Sequence, residues 1–146
     1  MTDLQEIKKE QIKALWRDPE ATIGAMLQHE QADTPVAHYF GPGIYIREVK
    51  LPAGSLCVGE EHRFPVMNVL VQGRVTLLQP DGSEMEVEAP FIFTNPAGRK
   101  IGVVHEDAIW LNIHATEETD VEKIEDACII KSQAVLDHKK RKEIEK

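Results

Sequence analysis

Short β-type runs recur at intervals of roughly ten residues through the middle of the chain, and this repetition restricts the possible folds. Gly, Pro, Asn and Asp separate the runs, which are rich in Val, Ile and Leu. No helical pattern alternates with them, so a parallel sheet of βαβ units is excluded. The pattern predicts a mainly β fold, an antiparallel barrel or double sheet, with strands at residues 44–50, 56–58, 66–72, 74–79, 84–88, 91–94, 100–104 and 108–114.

The sequence Pro80-Asp-Gly-Ser83 is the clearest turn between two of these strands. Asp-Gly accepts the positive φ that a tight hairpin requires, because glycine has no Cβ. We therefore expect a β-hairpin that joins the strands at 74–79 and 84–88. Gly73 is expected to close the preceding strand in a similar way.

Amphipathic helices are predicted at both ends of the β region. Residues 3–17 carry apolar side chains at helical spacing, and Asp18-Pro19-Glu20 is typical of the start of a second helix, which runs to about residue 31. A C-terminal helix is expected to use Thr116 or Thr119 as its N-cap, and residues 137–146 are expected to fray. We predict one domain with three parts, a helical arm (1–35), a barrel (36–115) and a C-terminal helix with its tail (116–146).

Composition excludes several classes of function. The formal net charge of -8 argues against binding to nucleic acid, which requires a basic surface. Cys57 and Cys128 lie far apart in unlike contexts, so the sequence shows neither a zinc motif nor a disulfide framework. No apolar run approaches membrane-spanning length, and the first residues lack an apolar signal segment. We expect a cytoplasmic protein that does not bind membranes.

Trp110, Asn112 and His114 alternate with apolar neighbours and therefore share one face of their strand. If that face points into the barrel, the three side chains can stack on, hydrogen-bond to and pair with a small molecule. The alternative is that Trp110 fills the core and Asn112 makes local hydrogen bonds. Glu60 and His62 also lie on one face and have the chemistry of a general base and a general acid.

Basic residues form a second group in or beside the strands of this acidic chain. Arg63 directly follows His62, and guanidinium groups bind carboxylates and phosphates through paired hydrogen bonds. For Arg74 and Arg99 a solvated surface is the better interpretation. We predict that a small polar or anionic ligand, a carboxylate, phosphate or nucleotide, is bound by Arg47, His62, Arg63, Lys100, Trp110, Asn112 and His114.

Gly54, Glu60, His62 and Gly73, followed by Pro96-Ala-Gly98, resemble the two motifs of the cupin family over about residues 44–114. The resemblance implies a double-stranded β-helix, or jelly roll, and a metal site with ligands from both motifs. At the four ligand positions of that family this chain has Glu60, His62, Val66 and Ile101. One histidine remains, and a carboxylate replaces another, so the family's metal site is expected to be degraded.

A substitute metal site is an open alternative. An iron or zinc centre normally needs three protein ligands that converge from rigid positions. Glu60, His62, His105 and His114 provide suitable donors for a divalent metal. The sequence does not determine whether His105 faces the interior.

Longer stretches, among them Gly59-Glu-Glu-His-Arg63 and Pro96-Ala-Gly-Arg-Lys100, also resemble small cupin-like proteins of tailed bacteriophages. This resemblance implies a viral protein made in the cytoplasm of a bacterial host. Three functions stay open: a barrel that binds or sequesters a small molecule without turnover, a metal-dependent cupin enzyme, and a structural protein with a filled barrel. We favour the binding protein and expect a homo-oligomer, a dimer first. The N-terminal helices are expected to pack on the barrel as a lid rather than to mediate association.

Overall fold

A computed structural model describes residues 4–145. Its helices are α1 (Leu4–Arg17), α2 (Pro19–Met26), α3 (Val121–Cys128) and α4 (Gln133–Ile144). Its strands are β1 (Val36–Gly41), β2 (Ile44–Leu51), β3 (Leu56–Val58), β4 (Glu61–His62), β5 (Val66–Leu78), β6 (Glu84–Glu88), β7 (Phe91–Asn95), β8 (Ile101–Ala115) and β9 (Ile129–Ile130). Within residues 4–145, no helix combines the length and the apolar character that crossing a membrane requires.

Two long strands, β5 and β8, pair along most of their length and hold the barrel together. Strands β1 and β2 extend the sheet beyond β8, and β6 and β7 pair with opposite halves of β5. Strand β3 pairs with the first residues of β8. One half of each long strand therefore belongs to each of two facing layers, and all of these pairings are antiparallel, as the sequence predicts.

The expected break at Gly73 is wrong, because β5 continues through it. Register shifts between Leu70 and Val75 bend the strand here and carry it from one layer to the other. Gly73 has φ 95°, and a Cβ at this position would lie 2.6 Å from the backbone oxygen of Asp107. Glycine is therefore required where β5 and β8 bend together. The predicted separation at residues 105–107 is wrong for the same reason, since β8 is also continuous.

The predicted hairpin at Pro80 to Ser83 is confirmed between β5 and β6. The Gln79 backbone N–H donates to the Ser83 carbonyl oxygen at 2.8 Å, and Gly82 has φ 89°. Asp81 Oδ1 accepts a hydrogen bond from the Ser83 backbone N–H at 2.9 Å. The turn therefore has the conformation that Asp-Gly favours.

The N-terminal helices pack on the outside of the barrel, as the lid interpretation predicts. Ile12 of α1 is buried against Leu78 and Ile101, and Trp16 Nε1 donates to the Leu78 carbonyl oxygen at 2.9 Å. Asp18 caps α2 as expected, accepting from the Ala21 backbone N–H. The second helix is shorter than predicted, because it ends at Met26 rather than near residue 31.

The C-terminal segment differs from its prediction in two ways. Asp120, not Thr116 or Thr119, caps α3. Residues 137–144, where a frayed tail was expected, belong to helix α4. The reason is a contact distant in sequence. The carboxylate of Glu20 on α2 accepts hydrogen bonds from Ser132 Oγ at 2.7 Å and from the Gln133 backbone N–H at 2.6 Å. Glu20 thus satisfies donors at the start of α4 that local sequence leaves unpaired.

Candidate ligand pocket

A cavity of about 310 Å³ lies inside the barrel. Inward side chains of β2, β5 and β8 form its apolar wall, which consists of Val49, Leu51, Val75, Leu77, Val104 and Trp110. The polar residues Arg47, Ser55, Glu60, His62, Lys100 and Asn112 also line it. Gln31, Ala32 and Thr34, in the segment after α2, lie against the same space together with Met26. The barrel therefore contains a pocket that the N-terminal segment partly covers.

A buried amide network holds the floor of the pocket in place. The side chain of Asn68 is fully buried, and its Oδ1 accepts hydrogen bonds from Trp110 Nε1 at 2.9 Å and Asn112 Nδ2 at 2.6 Å. Asn68 Nδ2 donates to the Val66 carbonyl oxygen at 3.1 Å. The indole N–H of Trp110 and one amide N–H of Asn112 therefore bond to protein, which leaves the indole to act mainly as an apolar wall.

Two cations line the pocket without a carboxylate partner. Among residues 4–145, neither Arg47 nor Lys100 has an acidic side chain within salt-bridge distance. Lys100 Nζ lies 6.0 Å from the ring centre of Trp110. Burial lowers the pKa of Lys100 to about 8. An unpaired, partly desolvated ammonium gains free energy when an anion binds beside it.

His62 is held at the pocket by backbone hydrogen bonds on both sides. Its N–H donates to the Gly98 carbonyl oxygen at 2.8 Å, and its carbonyl oxygen accepts from the Gly98 N–H at 2.9 Å. On the other side, β4 pairs with β9, and the Arg63 N–H donates to the Cys128 carbonyl oxygen. The C-terminal segment therefore helps to position this side chain.

The ring of His62 stacks on His114, with centroids 6.0 Å apart, and His114 stacks on Tyr45 at 5.7 Å. Tyr45 Oη and His38 Nδ1 are hydrogen-bonded at 2.7 Å. Burial, followed by the charges of Lys100, His114 and Arg47, lowers the pKa of His62 to about 4. Burial and Arg47 also lower the pKa of His114. Both imidazoles are therefore neutral at pH 7.

The other polar residues of the pocket differ in chemistry. Glu60 is exposed and lines the same cavity as the two cations, which makes it the acidic part of the wall. Burial raises the pKa of the Cys57 thiol, and its sulfur lies 3.8 Å from Ser55 Oγ. Cys57 therefore contributes a neutral, weakly polar surface rather than a thiolate nucleophile.

Five of the seven residues predicted to bind a ligand line the cavity, namely Arg47, His62, Lys100, Trp110 and Asn112. The other two lie beside it. His114 stacks behind His62, and the side chain of Arg63 is exposed outside the lining. Trp110 has both positions considered for it in the sequence analysis. Its indole belongs to the buried core, and it also forms part of the pocket wall.

The donors in the structure do not fit the metal site that the cupin resemblance implies. Among residues 4–145, no three His, Cys, Asp or Glu side chains converge closely enough to hold a metal ion. Val66 is buried, and Ile101 packs with Ile12 on the outer side of the barrel. His105 lies outside the cavity lining, where its Nε2 is 2.6 Å from Thr76 Oγ1. We therefore derive no chemistry through a metal.

Sequence reasoning missed Asn68, although it joins two of the predicted residues. The available signal was its place two residues after Val66 in an apolar strand, where alternation puts it on the inner face. An inward amide in such a strand needs hydrogen-bond partners. The partners, Trp110 and Asn112, are more than 40 residues away and were not predictable from spacing.

The low pKa of His62 predicts a loss of stability in acid. The pKa of His62 falls from 6.5 in the unfolded chain to about 4 in the folded protein. As the pH falls, the unfolded chain is therefore protonated before the folded protein. The free energy of unfolding decreases as the pH falls from 6.5 to 4. We expect His62 to account for a loss of about 2–3 kcal/mol over this range. In His62→Phe the slope should become clearly smaller, as measured by urea unfolding at several pH values. The exposed control His29→Phe should keep the original slope, and an unchanged slope in His62→Phe would contradict the prediction.

No protein-family model and no curated protein sequence matches the chain. Solved structures do resemble it. Ectoine synthase from P. lautus is 7% identical with a TM-score of 0.53, and the match covers 71% of this chain and 80% of that chain. A cupin domain from Bordetella pertussis Tohama I is 15% identical with a TM-score of 0.47, and the match covers 60% of this chain and 98% of that chain. An acetylacetone dioxygenase from Acinetobacter johnsonii is 12% identical with a TM-score of 0.48, and the match covers 58% of this chain and 61% of that chain. At these identities the likeness concerns the fold alone.

Proposed function

We propose that this chain, a cupin-type antiparallel barrel with helices at both ends, binds a small anionic molecule in its cavity and does not turn it over. The observation that carries the proposal is the pair of cations, Arg47 and Lys100, on the cavity wall without a carboxylate partner among residues 4–145. Two unpaired cations that are partly removed from water are compensated by a bound anion.

The cavity also limits the size and polarity of the ligand. Its volume of about 310 Å³ lies at the lower end of the range for small-molecule sites. Arg47 provides a planar fork for a carboxylate or phosphate, and Lys100 adds a compact charge. The apolar wall around Trp110 suits the body of the molecule. A dicarboxylate, a sugar phosphate or a nucleoside monophosphate has this combination of size and charge.

The side chains around the cavity favour binding over a metal-dependent reaction. The donor set does not fit a resident metal, and His62 is neutral at pH 7 with a pKa of about 4, well below the range in which a general base works best. The cavity itself favours a binding protein over a filled barrel. On the resemblance to phage proteins, we further propose that a homo-oligomer of this chain acts in an infected bacterial cytoplasm and sequesters a host metabolite or signal.

The proposal is tested by calorimetric titration of the purified protein with AMP, glucose 6-phosphate, citrate and inorganic phosphate. At least one of these probes is expected to bind, and Arg47→Gln should weaken it by about 10-fold or more, since a hydrogen bond to a charged group contributes about 1.5–3 kcal/mol. Arg74→Gln is the matched control, because Arg74 pairs with Glu86 outside the cavity lining. The binding proposal is overturned if no probe binds, or if Arg47→Gln and wild type have the same affinity. If NMR showed that a bound probe is converted to another compound, the proposal that the protein does not turn over its ligand would be wrong.

A further inference from the structure

One carboxylate shares the cavity with Arg47 and Lys100 but pairs with neither of them. Glu60 lines the cavity from the segment between β3 and β4. Among residues 4–145, no cationic side chain lies within salt-bridge distance of Glu60. The lining of the cavity therefore has two positive charges and one negative charge that do not neutralise one another.

The backbone brings Glu60 and Lys100 close together, and their side chains still separate. The Gly59 N–H donates to the Lys100 carbonyl oxygen at 2.8 Å, so the two segments lie side by side. The Lys100 ammonium points to the indole of Trp110, 6.0 Å from the ring centre, and is partly buried. Glu60 is exposed. The ammonium therefore lies inside the cavity and the carboxylate lies at its open side.

Cations outside the cavity do not neutralise Glu60 either. Glu60 also lines a second cavity, of about 220 Å³, beside α4. The cations Arg99 and Lys131 of that second cavity pair with other acidic residues. Lys139 is exposed, and it lies beyond salt-bridge distance from Glu60. Glu60 is thus available to a positive group on a ligand.

The charges of Arg47 and Glu60 act on the same part of the barrel. Burial raises the pKa of Tyr45, the charge of Arg47 opposes this rise, and the charge of Glu60 adds to it. Both charged groups are therefore near the Tyr45 hydroxyl, although they are too far apart to pair with each other. In a cavity of about 310 Å³, one small molecule is able to contact both groups.

We propose that Glu60 selects anions that also carry a protonated amine, the class that includes acidic amino acids and amino-sugar phosphates. This inference rests on the proposed function of the cavity. A ligand with two negative charges and one ammonium complements the lining, because Arg47 and Lys100 bind its anionic group and Glu60 accepts hydrogen bonds from its ammonium. An ammonium suits Glu60 better than a metal ion does, since no three donors among residues 4–145 converge to hold a metal.

Glu60 has the opposite effect on a ligand that is purely anionic. Its carboxylate repels such a ligand, so it discriminates by repulsion as well as by attraction. If Glu60 loses its charge, the preference is expected to reverse, because Arg47 and Lys100 repel the ammonium and nothing offsets that repulsion.

Calorimetric titration at pH 7 with two matched pairs of probes tests this inference. The pairs are glucosamine 6-phosphate with glucose 6-phosphate, and glutamate with glutarate, and the members of each pair differ by one amine. Wild type is expected to bind the aminated member of at least one pair about 5-fold more tightly. In Glu60→Gln, the aminated member should bind about 10-fold more weakly and its partner about 2-fold more tightly, which reverses the order.

The opposite signs of these two changes separate a role in selection from a role in folding, because a loss of structure weakens both probes. The matched control is Glu48→Gln, since Glu48 is next to Arg47 in β2 but does not line the cavity. This control should keep the wild-type preference.

The inference is wrong if wild type binds the amine-free member of each pair as tightly as the aminated one. It is also wrong if Glu60→Gln, shown by circular dichroism to be folded, changes both members of a pair in the same direction. In either case the proposed function stands, because an anion still binds. If wild type binds none of the four probes, this inference is overturned, and the proposed function is overturned with it only if AMP, citrate and inorganic phosphate also fail to bind.

Discussion

Replacing Asn68 with leucine is expected to destabilise the protein by about 3–5 kcal/mol, the largest effect we predict for a single side chain. Leucine has a similar size, so the loss comes from hydrogen bonding rather than from a cavity. Trp110 Nε1 and Asn112 Nδ2 both donate to Asn68 Oδ1, and both residues are buried. The variant leaves two polar groups without an acceptor inside the barrel, each at about 1–3 kcal/mol.

Urea unfolding of Asn68→Leu at pH 7 measures this effect, and a double-mutant cycle identifies its cause. In the Asn68→Leu background, Trp110→Phe should recover stability, because it removes the unpaired indole N–H that the first substitution creates. Asn95→Leu is the matched control, since the Asn95 amide bonds to Pro96 at the surface. A loss below about 1 kcal/mol in Asn68→Leu, or additive effects of the two substitutions, would contradict the role given to this amide.

Replacing Lys100 with methionine is expected to stabilise the empty protein by about 2 kcal/mol and to weaken anion binding more than 100-fold. Burial lowers the pKa of Lys100 from 10.5 to about 8, which means that the folded protein disfavours the charged ammonium. Methionine keeps the length of the side chain and removes the charge. A residue that destabilises the empty pocket and strengthens the complex is expected of a binding site.

The pH dependence of stability and of anion binding in the wild-type protein also tests the role of Lys100. The unfolded chain binds a proton more readily than the folded one between about pH 8 and 10.5, so the contribution of Lys100 to the free energy of unfolding increases over this range. A bound anion raises the pKa of Lys100. Binding at pH 8–9 should therefore take up a proton, and affinity should fall as the pH rises further.

Urea unfolding and calorimetry in buffers of different ionisation enthalpy measure these two effects. The exposed Lys50→Met is the control, and it should leave stability and affinity nearly unchanged. The prediction is contradicted if Lys100→Met binds the anion as tightly as wild type or unfolds more easily.

Local pattern was sufficient for several parts of the fold and of the site. Alternation correctly put Trp110 and Asn112 of β8 on one face, because side chains in a strand point alternately to opposite sides. The tertiary structure decided that this face lines the cavity. Asp-Gly determined the hairpin because its backbone preferences are local. Interruptions in the pattern were less informative, since Gly73 marked a bend and not the end of a strand.

The sequence by itself determined the class of fold and which side chains share a face of a strand, since both follow from neighbours within a few residues. Only the tertiary structure decided that Asn68 joins Trp110 to Asn112, that His62 stacks on His114, and that Glu20 caps α4. These contacts join residues more than 40 positions apart. Their geometry depends on the bend of β5 and β8 and on the docking of the helices, so no local spacing encodes them.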